Sequence, residues 1–81
     1  MRLDKYLKVS RIIKRRSVAN DACDNSRVSV NGKVARASYA VQEGDIIEIA
    51  FGSGNPVKYQ VLKVTEVSTK ESASQMYKQL N

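Results

Sequence analysis

Val28-Ser29-Val30-Asn31-Gly32-Lys33-Val34 is the stretch that decides the fold. Val28 and Val30 alternate with Ser29, the period-two pattern of a strand with one buried face. Asn31-Gly32 then supplies two residues that tolerate positive φ, as a two-residue hairpin turn demands. Lys33 and Val34 begin the return strand. An antiparallel hairpin is therefore fixed near the middle of the chain, and the elements on either side must cover its apolar face.

Upstream the period becomes helical. Arg2 to about Ser10 places Leu3, Tyr6, Leu7 and Ser10 on one side, with Arg2 and Lys5 sharing another side three residues apart. Ile12 and Ile13 anchor the connection into the core. A second helix is expected from about Arg16 to Asp24, with Val18, Ala19, Ala22 and Cys23 as its buried stripe and Asn20, Asp21 and Asp24 pointing away. Downstream, Ala35 to Ala40 is small and polar and reads as a connection, and Glu43-Gly44-Asp45 reads as a turn. Ile46 to Phe51 follows as a strand with Ile47, Ile49 and Phe51 on one face. Gly52 to Pro56 is a loop, and Val57, Tyr59, Val61 and Val64 form the next strand, with an irregularity near Leu62 and Lys63. After a polar break from Ser68 to Ser72, a terminal helix is expected, with Ser72 and Gln75 as a capping box and Ala73, Met76, Tyr77 and Leu80 as its stripe. The expected fold class is α+β: two N-terminal helices on a small antiparallel sheet, then a C-terminal hairpin strand and a short terminal helix. One domain is expected over 1–81, divided into a core (1–50) and an extension (51–81).

Charge is the second signal. The first sixteen residues hold Arg2, Lys5, Lys8, Arg11, Lys14, Arg15 and Arg16 against Asp4 alone, so this stretch carries the whole net charge of +6. From Ser17 onward the seven cations and seven acids cancel. An electropositive end on a neutral body suits a phosphate backbone better than it suits general solubility. Lys14, Arg15 and Arg16 stand at the start of the second helix, where the helix dipole disfavours cations. Stability alone would place a serine or aspartate there. Free backbone N–H groups beside basic side chains make a phosphate site instead.

Other classes fit poorly. With no histidine and one cysteine in 81 residues, zinc patterns and an internal disulfide are absent, and a reducing cytosolic setting is expected. No apolar run nears the roughly 20 residues that span a bilayer. The apolar residues of the first helix are too mixed with charge for a membrane-surface helix. No glycine-rich nucleotide loop and no cysteine with a base partner support an enzyme, and no cofactor is called for. A protein-interaction adaptor is the remaining rival, resting on the apolar stripe of the terminal helix. Cys23, Tyr6 and Tyr77 read as packing residues, Tyr39 and Tyr59 stay open, and Asp4 favours the first helical turn and can orient a neighbouring arginine.

Arg2-Leu3-Asp4-Lys5-Tyr6-Leu7, Arg16-Ser17-Val18-Ala19, Val28-Ser29-Val30-Asn31-Gly32-Lys33 and Val41 with Gly44-Asp45 and Ile47 occur in order with the right gaps. Together they resemble the RNA-binding domain first named in small-subunit ribosomal protein S-four, the S4 domain, over about residues 1–50. The resemblance implies RNA held by the two helices and the adjoining turn. The tail from Thr69 to Tyr77 is similar to that of small stand-alone, heat-shock-type members that bind the large ribosomal subunit, and within these to bacterial ribosome quality-control factors. That likeness implies a cytoplasmic, ribosome-associated, non-enzymatic and monomeric protein. Its implied partners are large-subunit ribosomal RNA, P-site tRNA and a factor that tails the nascent chain with alanine. The rival within the class is a heat-shock-type subunit-recycling factor. The residues placed on RNA are Arg2, Lys5, Arg11, Lys14, Arg15, Arg16 and Lys33, with Arg2 and Arg16 foremost because the guanidinium fork matches phosphate. Two positions depart from the family pattern: Arg15, where a Ser or Thr cap is common, and Ser26, where glycine is common.

Overall fold

The Asn31-Gly32 turn forms as the sequence requires, with φ of 52° and 85°. In the computed structural model, which describes residues 1–52, 54–66 and 68–81, it joins β1 (Val28–Val30) to β2 (Lys33–Val34). Pairing sets Ser29 opposite Val34 and Val30 opposite Lys33. Asn31 also ties the hairpin to its other neighbour. Its side-chain oxygen accepts from Ile46 N–H at 2.9 Å, and its amide donates to Asp45 at 3.1 Å. That fixes where β3 (Ile46–Ile49) starts beside β1. β4 (Val57–Val61) and β5 (Tyr77–Gln79) complete a five-stranded antiparallel sheet in the order β2-β1-β3-β4-β5.

Two helices cover one face. α1 spans Leu3–Val9 and α2 spans Arg16–Asp24. Leu3, Tyr6, Leu7, Ile13, Ala19 and Cys23 meet Val28, Val30, Ile47, Ile49 and Val61 in one core, closed at its end by Met76. Tyr6 is fully buried, and its hydroxyl donates to the Met76 carbonyl at 2.8 Å. The connection from Ala35 to Val41 runs against the N-terminus: Leu3 N–H donates to Tyr39, Asp4 N–H to Ala37, and Val41 N–H to Met1. Burial of Ala35 and Ala37 explains why this connection is built of small residues.

Several expectations are corrected. The strand expected to reach Phe51 ends at Ile49, because its partner β1 begins at Val28, opposite Ile49, and the next rung is Ala50 N–H to the Arg27 carbonyl just before β1. Phe51 is 56% exposed. Val18, placed on the buried stripe of α2, is also half exposed and lines a surface groove with Phe51. The next strand stops at Val61. Leu62 and Lys63 both donate their N–H groups to the Met76 carbonyl, the irregularity foreseen there, and Val64 lies outside the strand. The terminal helix is much shorter than its stripe suggested. α3 is Lys70–Ala73, and its capping box is Thr69 with Ser72, not Ser72 with Gln75. Tyr77 onward pairs as β5 with the free edge of β4, Val61 opposite Tyr77. A lone turn of helix is weak, whereas the open edge of β4 offers a full row of backbone partners. Ala73 and Met76 stay buried, while Leu80 is exposed.

Candidate nucleic-acid interface

Asp4 organises the basic end. It lies in the first turn of α1 and its side chain is 3% exposed. One carboxylate oxygen accepts from Arg2 Nε at 3.1 Å and from Lys5 N–H at 2.8 Å. The other accepts from Arg16 Nε at 3.4 Å and from Asn20 Nδ2 at 3.2 Å. Arg2 is the residue preceding α1 and Arg16 is the first of α2, so one buried acid fastens the starts of both helices together. Asn20, expected to point away, belongs to this cluster. Both arginine side chains remain about half exposed, and each guanidinium has more N–H groups than the Asp4 carboxylate engages. Burial by itself would raise the Asp4 pKa. The hydrogen bonds from Arg2, Asn20 and the Lys5 N–H, with the Arg16 charge, outweigh it and hold the carboxyl below the ordinary 3.8. The carboxylate is thus ionised at neutral pH, and the cluster carries a net single positive charge on two planar forks.

The remaining expected residues fall into separate places. Lys5 turns from the arginine pair and bonds Glu66, whose carboxyl is held down by that contact. Arg11 and Lys14 line a cleft between the end of α1 and the C-terminal segment. Arg15 stands exposed at the cap of α2, and its side chain makes no capping hydrogen bond. Lys33 lies beyond the hairpin turn in a groove with Arg36 and Tyr39. Sequence reasoning missed Arg36, which shares one groove with Lys33 and another with Arg2. No local pattern marks it; its place follows from the bridge between Arg2 and Ala40. Lys70, which joins Arg11 and Lys14, was missed for the same reason, whereas Lys8, also on that cleft, belonged to the basic stretch but was not placed on RNA.

The tyrosines and the cysteine serve the fold. Tyr39 donates to Asp45 at 3.1 Å, and Tyr59 meets Tyr77 edge to face with ring centres 5.3 Å apart. Cys23 is 4% exposed, and burial, with the charges of Asp4 and Asp24, pushes its thiol up to about 11. Among the described residues no cluster of three or more His, Cys, Asp or Glu side chains is placed to hold a metal ion, and no helix is long and apolar enough to cross a membrane.

Comparison with known proteins shows what the chain as a whole is similar to. A family model of the S4 domain matches residues 1–47, the segment that supplies α1, α2 and the hairpin. The RQC P-site tRNA stabilizing factor of Halalkalibacterium halodurans is 49% identical over 95% of this chain and 86% of its own length. The protein of the same name from Bacillus subtilis is 47% identical over 95% of this chain and 88% of its own. Among solved structures, the trimeric structure of Vibrio cholerae Heat Shock Protein 15 superposes with a TM-score of 0.89. It is 28% identical, over 99% of this chain and 81% of that one.

Proposed function

Because this chain belongs to the S4 domain family, we propose that it is an RNA-binding factor of ribosome-associated quality control, holding P-site tRNA on a large ribosomal subunit. The observation that carries this reading is the Arg2–Asp4–Arg16 cluster: two half-exposed guanidiniums from different helices, set by one buried carboxylate. A free arginine gives up side-chain entropy when it binds. Two arginines already fixed lose less, and their spacing selects acceptors set at matching positions on a folded RNA. The names of the relatives at 47–49% identity over nearly the whole chain support the P-site tRNA as that RNA.

In this reading the protein works by positioning and performs no covalent step. The particle is a large subunit still obstructed by a nascent chain on its tRNA. Arg2, Arg16, Arg15, Lys5, Arg11, Lys14 and Lys33 contact the backbones of large-subunit RNA and tRNA, and the held tRNA lets a partner factor extend the stalled chain with C-terminal alanines. A second reading, a large-subunit recycling factor of the heat-shock type, draws on the 0.89 superposition with Heat Shock Protein 15.

Sedimentation and pull-down separate the two. Replacing Arg2 or Arg16 by alanine is expected to weaken binding to large subunits about tenfold, the worth of a charge-assisted hydrogen bond, with the fold intact. Pull-down of the wild type from stressed cells is expected to recover large-subunit RNA, peptidyl-tRNA and alanine-tailed chains. Subunits without tailed chains would favour recycling. Unchanged sedimentation of the Arg2, Arg16 double variant would remove the arginine pair from the interface.

A further inference from the structure

Asn31-Gly32 serves the fold as a hairpin turn, yet it is also a chemically labile pair. An asparagine followed by glycine is the dipeptide most open to attack on its own side chain, because no Cβ shields the glycine nitrogen. Both residues are exposed, and a Cβ built on Gly32 would meet nothing within 4 Å, so water reaches the turn freely. What holds the Asn31 side chain still is therefore bonding and not burial.

The bonds run toward β3 and the residue before it. Asn31 N–H donates to the Ile46 carbonyl at 2.8 Å, Oδ1 accepts from Ile46 N–H at 2.9 Å, and Nδ2 donates to Asp45 Oδ1 at 3.1 Å. Gly32 leads the chain the other way, into β2 on the opposite side of β1. Cγ of Asn31 cannot swing onto the Gly32 nitrogen until both side-chain bonds break. Asp45 is buried, and its Oδ2 is already taken by the Tyr39 hydroxyl at 3.1 Å and Gln42 N–H at 2.9 Å. The group that faces its Oδ1 must be a donor, so this network has room for one carboxylate only.

We propose that Asn31 is a deamidation site which the closed hairpin protects, and that the reaction, once it occurs, prevents the hairpin from closing again on β3. The Gly32 nitrogen bonds to Cγ of Asn31, the Cγ–Nδ2 bond breaks, and ammonia leaves with the proton that the nitrogen gave up. One water then opens the succinimide ring to aspartate or isoaspartate. Either product sets a carboxylate where Nδ2 had donated, against a second carboxylate that stood 3.1 Å from that nitrogen, and like charges so close repel. The isoaspartate branch also lengthens the main chain by one atom inside a two-residue turn, which disturbs the pairing of Val30 with Lys33. A transient opening is thereby made permanent, and Lys33 loses its fixed place beside the turn.

The first test compares rates. Purified protein is incubated at mildly alkaline pH, folded and in urea, and the tryptic peptide from Val28 to Lys33 is weighed and its product isomers separated. Deamidation of Asn31 is expected to be at least about tenfold slower in the folded protein; equal rates overturn the protection. The second test concerns the product. Asn31→Asp is expected to lower the folded-to-unfolded ratio about tenfold in urea unfolding. Combining it with Asp45→Asn exchanges donor and acceptor: the amide at position 45 faces the new carboxylate, and its oxygen still accepts from Tyr39 and Gln42. The double variant is expected to regain most of the loss, which general damage to the turn would not allow. If Asn31→Asp does not fold, recovery of folding in the double variant is the supporting result. Asn31→Asp as stable as wild type, or a double variant no more stable than Asn31→Asp, overturns the carboxylate conflict.

Discussion

Asp4 is the residue on which the basic end depends. Four donors converge on a carboxylate that water barely reaches, and two of them are the guanidiniums offered to RNA. Its folded pKa lies below 3.8, so the folded state binds this proton less readily than the unfolded chain. The stabilisation is therefore complete above about pH 4 and is lost as pH falls through the depressed folded value. Asp4→Asn is expected to cost about 1.5–3 kcal/mol at pH 7, as for hydrogen bonds to a charged group. That deficit should shrink as the pH is lowered below 4. Urea unfolding of both proteins at pH 7 and pH 3 checks it; a deficit independent of pH would mean that the charge of Asp4 contributes nothing. The exposed Lys5–Glu66 pair is a contrast, since solvent screens it and it adds little.

At the level of elements, each of the first two helices is followed by a left-handed residue that is not glycine, Arg11 after α1 and Ser26 after α2. α2 closes with Arg27 N–H on the Ala22 carbonyl at 2.9 Å and Ser26 N–H on Cys23 at 3.1 Å, and Ser26 has φ of 59°. That is the Schellman closure, which glycine serves without strain. Ser26→Gly should raise stability by about 1 kcal/mol and the melting temperature by roughly 4–8 °C. An unchanged melting curve would show that the serine holds this backbone at no cost. The absence of glycine at this turn was legible in the sequence, and so were α2, the Asn31-Gly32 hairpin and the buried faces of Tyr6, Leu7 and Cys23. Those features are local, fixed by periodicity and turn chemistry. What was not legible depends on partners distant in the chain. Tyr77 reads as a helical residue until the open edge of β4 is available to it. Phe51 reads as buried until β1 is seen to begin at Val28, opposite Ile49, which leaves Phe51 past the paired residues. In the candidate site the same rule holds: the charge-rich stretch announced Arg2 and Arg16, whereas Asn20, Arg36 and Lys70 reach their places only through tertiary contacts.

For the molecule as a whole, the core joins the first helix to the last strand region, with Leu3, Tyr6, Cys23, Ile47 and Met76 in one cluster. If these residues form one cooperative unit, damage at Met76 is felt at Cys23, which lies in α2 and is not its neighbour in sequence. Met76→Ala removes a side chain that is 1% exposed and should cost about 2–5 kcal/mol. The Cys23 thiol, buried and with its pKa raised to about 11, reacts only when the structure opens. Its labelling at pH 8 should therefore speed up at least about thirtyfold in Met76→Ala, following 1.4 kcal/mol per factor of ten. Labelling at the wild-type rate would show that the C-terminal segment opens by itself while the helices stay shut.

The hydrogen bond from the Tyr6 hydroxyl to the Met76 carbonyl has one more meaning, which lies in the order of synthesis. Its partners are 70 positions apart. At 5–20 residues per second, a ribosome making this chain reaches Met76 roughly 4 to 14 seconds after it has made Tyr6. Through that interval the basic first helix has no roof, and neither Tyr6 nor the irregular end of β4 has the carbonyl it needs. Closure of the fold thus waits on the stretch that carries Met76, and a copy of this protein halted short of it is left with its first helix uncovered.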